Sequence, residues 1–531
     1  LIQFRENVEI GHEAWAASTS YSQNDLVHHN GNLYKKTDSG NDTSGNQPPV
    51  HLEGSETYGD ITWEYQHSGT GFVKITAVAS ATSATANVQT HNFLVLPSVA
   101  TAGTTQFSEG SFSTKNGFPK AVAFYEQRLY FAGTDLQPQS IFGSKSADFE
   151  NHTPGTEDDA AVNVTIASDQ VNVIKHLLPG RFLQILTTSS EFTLSGGTGA
   201  TPVTPTNVNV LRETTFGTSD VRPLRAGNST ILVQKGLEKV KEITFDLDTD
   251  GLLGVDLTIL ADHITRGGVS DMIWQQEPEL ILWFVHSDGG LIGLTYDRAN
   301  AAIGWHDHNI GGNGVVESIT AIPSGAEDQV YVSVKRTING STVRHIEFLK
   351  PINFGGDITD AFFVDSGLTY SGSSTSTITG LNHLEGETVQ IVADGSAHAD
   401  KTVSGGSVTL DRSATKVHVG YGYDSIVQTL RLEGGANDGA SQGKIKRIHG
   451  VTVRFLETVG AEVGPTLTSL DRIPFRDSSM DMDTAVPIFS GDKEVSFPSG
   501  YDNDSRVVIK QSQPLPMTII AIMRRSNTFD A

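Results

Sequence analysis

Ile281-Leu-Trp-Phe-Val-His-Ser-Asp-Gly-Gly-Leu-Ile-Gly-Leu-Thr-Tyr296 is an apolar run, a polar glycine turn and a second apolar run. Runs this short, rich in β-branched and aromatic residues and broken by Asp-Gly-Gly, are strands joined in a hairpin. Four other stretches share the pattern: Leu129-Tyr-Phe-Ala-Gly, Leu183-Gln-Ile-Leu with Glu191-Phe-Thr-Leu, Ile231-Leu-Val with Lys241-Glu-Ile-Thr-Phe, and Val330-Tyr-Val with Arg344-His-Ile-Glu-Phe. The five units start about 50 residues apart, which is the repeat length of a β-propeller blade. A lone blade cannot cover both of its faces, whereas radial stacking covers them and leaves only short edges. The expected fold class is therefore all-β and multidomain, with a central β-propeller-like core and small inserted β domains. A generic array of β-sandwiches is the alternative. The number of blades is open at five, or six if a later segment closes the ring.

Outward from this core, assigned to 119–350, the chain divides further. Residues 1–14 read as the remnant of an N-terminal segment, since the chain opens on Leu1 and an element could precede it. Residues 15–68 form a small aromatic-rich module, with Trp15, Tyr21, Tyr34, Tyr58, Trp63 and Tyr65 in a Gly, Asn and Ser background. A connecting β segment covers 69–118. An inserted β domain covers 351–443, opened by a Ser/Thr linker at Ser371–Thr377, and a β region returning to the core covers 444–531. Gly254–Thr265, with Leu257, Leu260 and Ile264 at helical spacing, is the best candidate for a short helix.

Composition limits the chemistry. The 531 residues have room for about three or four domains. Cysteine is absent, which removes disulfides, thiolate nucleophiles and Cys-based metal centres. A net charge of −24 argues against a protein that grips phosphates, because that binding depends on Lys and Arg displacing counterions. An acidic wall would let nucleic acid slide past, and acidity also simply maintains solubility. No run approaches the roughly 20 apolar residues needed to cross a bilayer as a helix.

The central and C-terminal residues carry a resemblance. Gly117-Phe-Pro-Lys-Ala-Val-Ala-Phe-Tyr-Glu-Gln-Arg-Leu-Tyr-Phe-Ala-Gly-Thr134, Phe142-Gly-Ser-Lys-Ser-Ala-Asp-Phe-Glu-Asn151, Ala167-Ser-Asp-Gln-Val-Asn172, Ile259 to Gly268, Trp274-Gln-Gln-Glu-Pro278, Gly304-Trp-His306, Arg336-Thr-Ile-Asn-Gly340, Phe363-Val-Asp-Ser-Gly-Leu-Thr-Tyr370 and Ser490-Gly-Asp-Lys-Glu-Val-Ser-Phe-Pro498 follow in order. The chain from about Gly69 onward resembles the nozzle family of short-tailed bacteriophages, also called tail tubular protein B or stabilization protein. The resemblance implies a non-enzymatic virion tail protein assembled in the cytoplasm of a bacterial host. It further implies a homo-oligomeric, six-fold ring below the adaptor and portal, with tail fibres or spikes at its periphery and viral double-stranded DNA passing through its lumen. It implies no cofactor. The module at 15–68 departs from the simplest family pattern and resembles small carbohydrate-binding domains of the chitin-binding type.

Several residues are candidate sites. Trp63 and Tyr65, two apart, would share one face of a strand, and with Trp15 and Tyr34 they are candidates for contact with a host surface glycan, against the alternative of core aromatics. Arg128, in Glu126-Gln-Arg128, is a fixed hydrogen-bond donor at a blade or subunit contact. Lys444, Lys446 and Arg447 form the densest basic cluster, which would meet a negative neighbour in a ring or lie on a solvated strand face. His306 and His308 are two possible zinc ligands without an identifiable third. Asp246-Leu-Asp-Thr-Asp-Gly251 begins like a calcium loop, yet Leu257 occupies the place of its bidentate Glu, so an acidic turn is the simpler reading. Gly197-Thr-Gly199 is a turn, since Pro202 stands where a nucleotide loop needs its third glycine. An adhesin acting through the aromatic module, or a propeller glycosidase using paired carboxylates, are the competing functions. The Ser-x-Asp-x-Gly-x-Thr-Trp box of sialidase propellers is missing.

Overall fold

The computed structural model describes residues 2–5, 12–88, 103, 105, 107–197, 201–248, 251–433, 435–436, 439–482, 484–497 and 499–529. Among these residues every regular element is a strand except two single-turn helices, Ile358–Asp360 and Asn382–Leu384. The chain is all-β, built from many small sheets, antiparallel but for the pairing of Glu13–Ala14 with Leu26–His29. Two compact units divide it: Leu1–Ile185 with Thr193–Val210, and Leu186–Phe192 with Leu211–Ala531.

The first unit opens on a sheet ordered Ser83–Val88, Thr70–Ser80, Ile2–Arg5, Phe107–Glu109. Ile2–Arg5 is one of its two central strands. Arg5 is paired with Thr70, so the described residues between them, from His12 onward, are looped out from one point of that sheet. The looped-out residues form the aromatic module, a five-stranded sheet (Glu13–Ala14, Leu26–His29, Asn32–Lys36, Ile61–His67, Ser55–Tyr58) and a small hairpin of Ser20–Ser22 with Asn41–Thr43.

The first of the five repeated sheets follows, as Ala121–Tyr125, Arg128–Ala132, Ser140–Gly143 and Val162–Thr165 in sequential order. Ala121, Ala123 and Tyr125 point inward while Val122 and Phe124 point out, as period-two alternation requires. Glu126 (φ 45°) and Gln127 (φ 59°) make the two-residue turn between its first two strands. Positive φ at both positions is the geometry whose twist matches that of paired strands. The second sheet, Ile174–Leu178, Leu183–Thr187, Glu191–Gly196 and Val208–Thr214, is the one through which the division between the units runs.

The remaining three sheets belong to the second unit. They are Leu224–Ala226, Ser229–Val233, Val240–Asp246 and Gly251–Asp256; then Val269–Gln275, Ile281–His286, Leu291–Asp297 and Ala302–His308; then Val315–Ser324, Glu327–Ile338 and Ser341–Phe348. Their packing explains the continuous apolar run that began the reading. Leu282, Phe284 and Leu294 face back and pack with Val233, Val240 and Met272. Ile281, Trp283 and Val285 face forward onto Val316, Val332 and Val334. The middle sheet is covered on both sides, and each such large side chain contributes about 1.5–3 kcal/mol. The first strands of these three sheets lie side by side, which is the propeller-like arrangement.

The helix expected over Gly254–Thr265 does not form. Gly254 is in a strand opposite Ile243, and the chain then steps through three single turns closed by Ala261 N to Thr258 O, Ile264 N to Ala261 O and Gly268 N to Thr265 O. Turns three and then four residues apart keep Leu257 and Ile264 against the core and leave Leu260 91% exposed. They imitate a helical period without building a helix.

Beyond the repeats, Asp365–Thr379, Ser407–Tyr421, Thr388–Ala393 and Ser396–Thr402 form a sheet around Val389, Ile391, Val408, Val417 and Val419. Ser371–Thr377, expected as a linker, lies inside its first strand, where register shifts at Ser371/Thr375 and Thr375/Thr377 absorb the irregularity. The described residues from Ser425 onward build two larger sheets, whose shared core includes Val451, Val453, Phe455, Val463 and Ile509, and a short pairing of Gly435–Ala436 with Gly439–Ala440. Ser425–Gln428 pairs with Val508–Gln511, so it is an edge of this C-terminal layer.

Candidate functional site

In the aromatic module the rings divide into two groups. Tyr34 and Trp63 are fully enclosed. The Tyr34 hydroxyl donates to the His51 carbonyl at 3.0 Å, and burial pushes its pKa up to about 12. Trp63 meets the edge of Tyr21 at 5.2 Å. Neither ring offers a face to a sugar, which corrects the glycan reading of these two residues: they are the core. Trp15 and Tyr65 are half-buried against that core, and burial raises the Tyr65 hydroxyl. Trp63 and Tyr65 do share a face, but it is the inner one. The module also encloses Lys36, whose ammonium reaches Asp42 at 2.7 Å and Asp38 at 2.9 Å. Burial alone would lower the pKa of that ammonium; bonds from Asp42 and Asp38 outweigh it and raise it. A compact cross-link of this kind suits a domain too small for a large apolar core.

Arg128 is likewise inside the fold, at 2% exposure. Its guanidinium donates to the carbonyls of Ser144 (2.7 Å), Ala160 (2.6 Å), Asp158 (2.6 Å) and Asp159 (3.3 Å). The planar fork holds the 158–160 loop onto the second strand of the sheet. This corrects the subunit-contact reading: Arg128 is a framework residue. Its neighbour Glu126 accepts the backbone N–H of Val203 at 2.7 Å.

The basic cluster is split by strand alternation. Lys446 is fully buried and its ammonium donates to Asn503 O at 3.3 Å, so it does not reach a neighbouring chain. Arg447 is exposed, with its guanidinium 5.6 Å above the Tyr501 ring. Lys444 is half-buried.

His306 and His308 do project together: Nδ1 of the first lies 2.7 Å from Nε2 of the second, with Trp283 at 6.0 and 4.8 Å from the two rings. Burial lowers both pKa values, and repulsion from His306 helps bring His308 to about 4. Among the described residues no group of three or more His, Cys, Asp or Glu is placed to hold a metal. Asp246 ends one strand and Gly251 opens the next, while residues 249–250 of the acidic turn and 198–199 of the glycine turn lie outside the described residues.

Two buried carboxylates escaped the sequence reading. Glu242 accepts from Ser229 Oγ (2.9 Å), Tyr296 OH (2.7 Å) and Arg298, joining the third repeated sheet to the fourth. Burial opposes its ionisation, but these donors outweigh burial and hold the carboxyl below its usual range. Glu191 is the converse case: burial dominates the bonds from Thr214 and Phe216 N and raises its pKa. Nothing in the local sequence marks either residue, since the partners that define Glu242 come from a different repeat.

One surface stands open. Among the described residues the fifth sheet has three strands where its predecessors have four, and Ser341–Phe348 is bonded on one side only. Ile322, Tyr331, Ile346 and Phe348 share its outer face by register. Ile346 is 81% and Ile322 51% exposed.

No family model and no curated protein matches the chain. Among solved structures, a luciferin-regenerating enzyme is similar at 12% identity, covering 44% of this chain and 91% of its own, with a TM-score of 0.21. A likeness at that level carries no inference about fold or chemistry.

Proposed function

We propose that this chain is a structural virion protein, a subunit of the tail nozzle of a short-tailed bacteriophage. Copies join in a ring, six-fold as the resemblance implies, that continues the DNA channel below the adaptor and portal and receives the tail fibres. The observation that supports this most is the open outer face of the fifth sheet. A row of stacked sheets that ends in exposed Ile322, Ile346 and Phe348 beside an unpaired strand edge presents the apolar, self-templating surface that a neighbouring subunit would cover. Supporting it, Arg128 and the Glu126-Gln127 turn, which sit in the strongest part of the resemblance, hold loops and strands together. The net charge of −24 suits a conduit that polyanionic DNA must leave without adhering. The enclosure of Tyr34 and Trp63 weighs against the adhesin alternative.

The test is electron microscopy of purified tails carrying an antibody-labelled copy of the chain. A six-fold ring labelled at the DNA exit is the expected result; label confined to fibre tips or the capsid overturns the reading. An Ile346→Asp variant tests the interface separately, with folded subunits that no longer join tails as its expected outcome.

A further inference from the structure

Two open sheet faces, one in each unit, are apolar at the centre and opposite in charge. The first repeated sheet turns Ala121, Ala123 and Tyr125 inward and leaves Val122 (59% exposed) and Phe124 (61%) on its other side. Phe149, 42% exposed, sets its ring edge-on to Phe124 at 5.1 Å and extends that side. Exposed Asp148 and Glu150 flank Phe149, whereas the ammonium of Lys120, just before the strand, is taken up by Asp135 at 2.9 Å. The outer face of the fifth sheet has the reverse balance. Lys335 and Arg344 lie opposite each other on it, beside the pair of Ser333 and Ile346, and share Glu317. Lys350 holds its ammonium 5.1 Å above the Phe348 ring.

Symmetry restricts what can cover such faces. A face that meets its own copy closes a two-fold dimer and stops, whereas a ring of more than two copies joins two different surfaces, so each copy must carry both. The ring proposed above therefore needs a second surface to meet Ile322, Ile346 and Phe348. The chain itself shows the mode of cover: its fourth repeated sheet is packed on each side by another sheet, with Leu282 and Phe284 in one core and Trp283 and Val285 in the other. Sheets stacked in this way lie about 10 Å apart with their side chains interdigitated. A basic apolar sheet face fits an acidic one, while two basic or two acidic faces repel.

We propose that the outer face of the fifth sheet of one copy stacks on the outer face of the first repeated sheet of the next, covering Ile346 and Phe348 with Val122 and Phe124. Asp148 and Glu150 of one copy then meet Lys335 and Lys350 of its neighbour at the rim. The ring is taken from the nozzle reading; the surface that meets the fifth sheet is added to it.

Cysteine is absent from the chain, so an introduced thiol marks one face without competition. Full-length Phe124→Cys and Ile346→Cys are treated with a bis-maleimide spanning about 10 Å, each alone and as an equal mixture, in solution and in tails assembled from the mixture. Both positions are exposed, and circular dichroism confirms that the variants fold. The expected result is a linked pair in the mixture, little with either variant alone, and a ladder of longer products with the double variant. Asp148→Lys with Glu150→Lys should lower the yield of the pair by roughly tenfold, and Lys335→Glu with Lys350→Glu in the other copy should restore it. A pair formed by Ile346→Cys alone, a link within one chain in the double variant, or a mixture that gives no pair in either setting overturns the proposal. Tails that show a labelled six-fold ring without the link between positions 124 and 346 refute this pairing and leave the nozzle reading intact. A ladder from chains that microscopy does not place at the DNA exit supports the pairing and removes the nozzle reading.

Discussion

Replacing Arg128 by Met keeps much of the stem and removes every donor, so the cost can be worked from what it leaves behind. Four carbonyls lose a donor, but they are not equal. Asp158 and Asp159 are exposed, and their oxygens turn to water at little cost. Ser144 and Ala160 are buried, and each buried acceptor left unpaired costs about 1–3 kcal/mol. Relaxation of the loop and the gain from no longer burying a cation reduce the sum. The expected destabilisation is about 2–4 kcal/mol, concentrated in the first repeated sheet. Arg128→Lys restores the charge but reaches from one point instead of a fork, and should recover roughly half of that loss. Urea unfolding gives the total, and hydrogen exchange localises it: Ser146 N and Ala160 N, bonded to Asp159 O and Glu157 O, should lose protection first. A change below about 0.5 kcal/mol in Arg128→Met, or exchange that rises equally across both units, would refute the framework role.

Other expectations concern the module and the buried acids. Trp63→Ala should cost about 3–5 kcal/mol, enough to unfold a module of this size, so limited proteolysis should cut within residues 12–67 while the rest stays intact; a protease-resistant module refutes the core assignment. Glu242→Gln should destabilise the second unit by roughly 1–3 kcal/mol at neutral pH, the half-exposed Arg298 limiting the figure. Because the folded carboxyl is held low, that contribution is present above the unfolded pKa of about 4.3 and fades as pH falls below it; equal denaturation midpoints for wild type and variant at pH 7 would refute it. Asp365 has the opposite sign: burial raises it to about 6, so the folded state holds the proton more tightly and stability falls as pH rises from about 4 to 6. Asp365→Asn should flatten that slope and unfold at higher temperature than wild type at pH 7; an unchanged slope contradicts it.

What the sequence alone determined is what short-range pattern encodes. Alternation in Ala121–Tyr125 and Val451–Phe455, apolar runs such as Ile281–Val285 and their recurrence about every 50 residues specify strands, hairpins and stacked sheets, because a strand's two faces are set by neighbours two residues apart. Where two physical arrangements share a local period, the reading failed: three successive turns after Asp256 place Leu257 and Ile264 as a helix would. Only the tertiary structure decided which aromatics of the module are walls and which are surface. It alone showed that Arg128 and Lys446 are spent on backbone carbonyls of this same chain, and that Glu242 meets Arg298 while Gln390 reaches Ser512. Those partners lie far along the chain, and burial and charge pairing depend on who arrives in space.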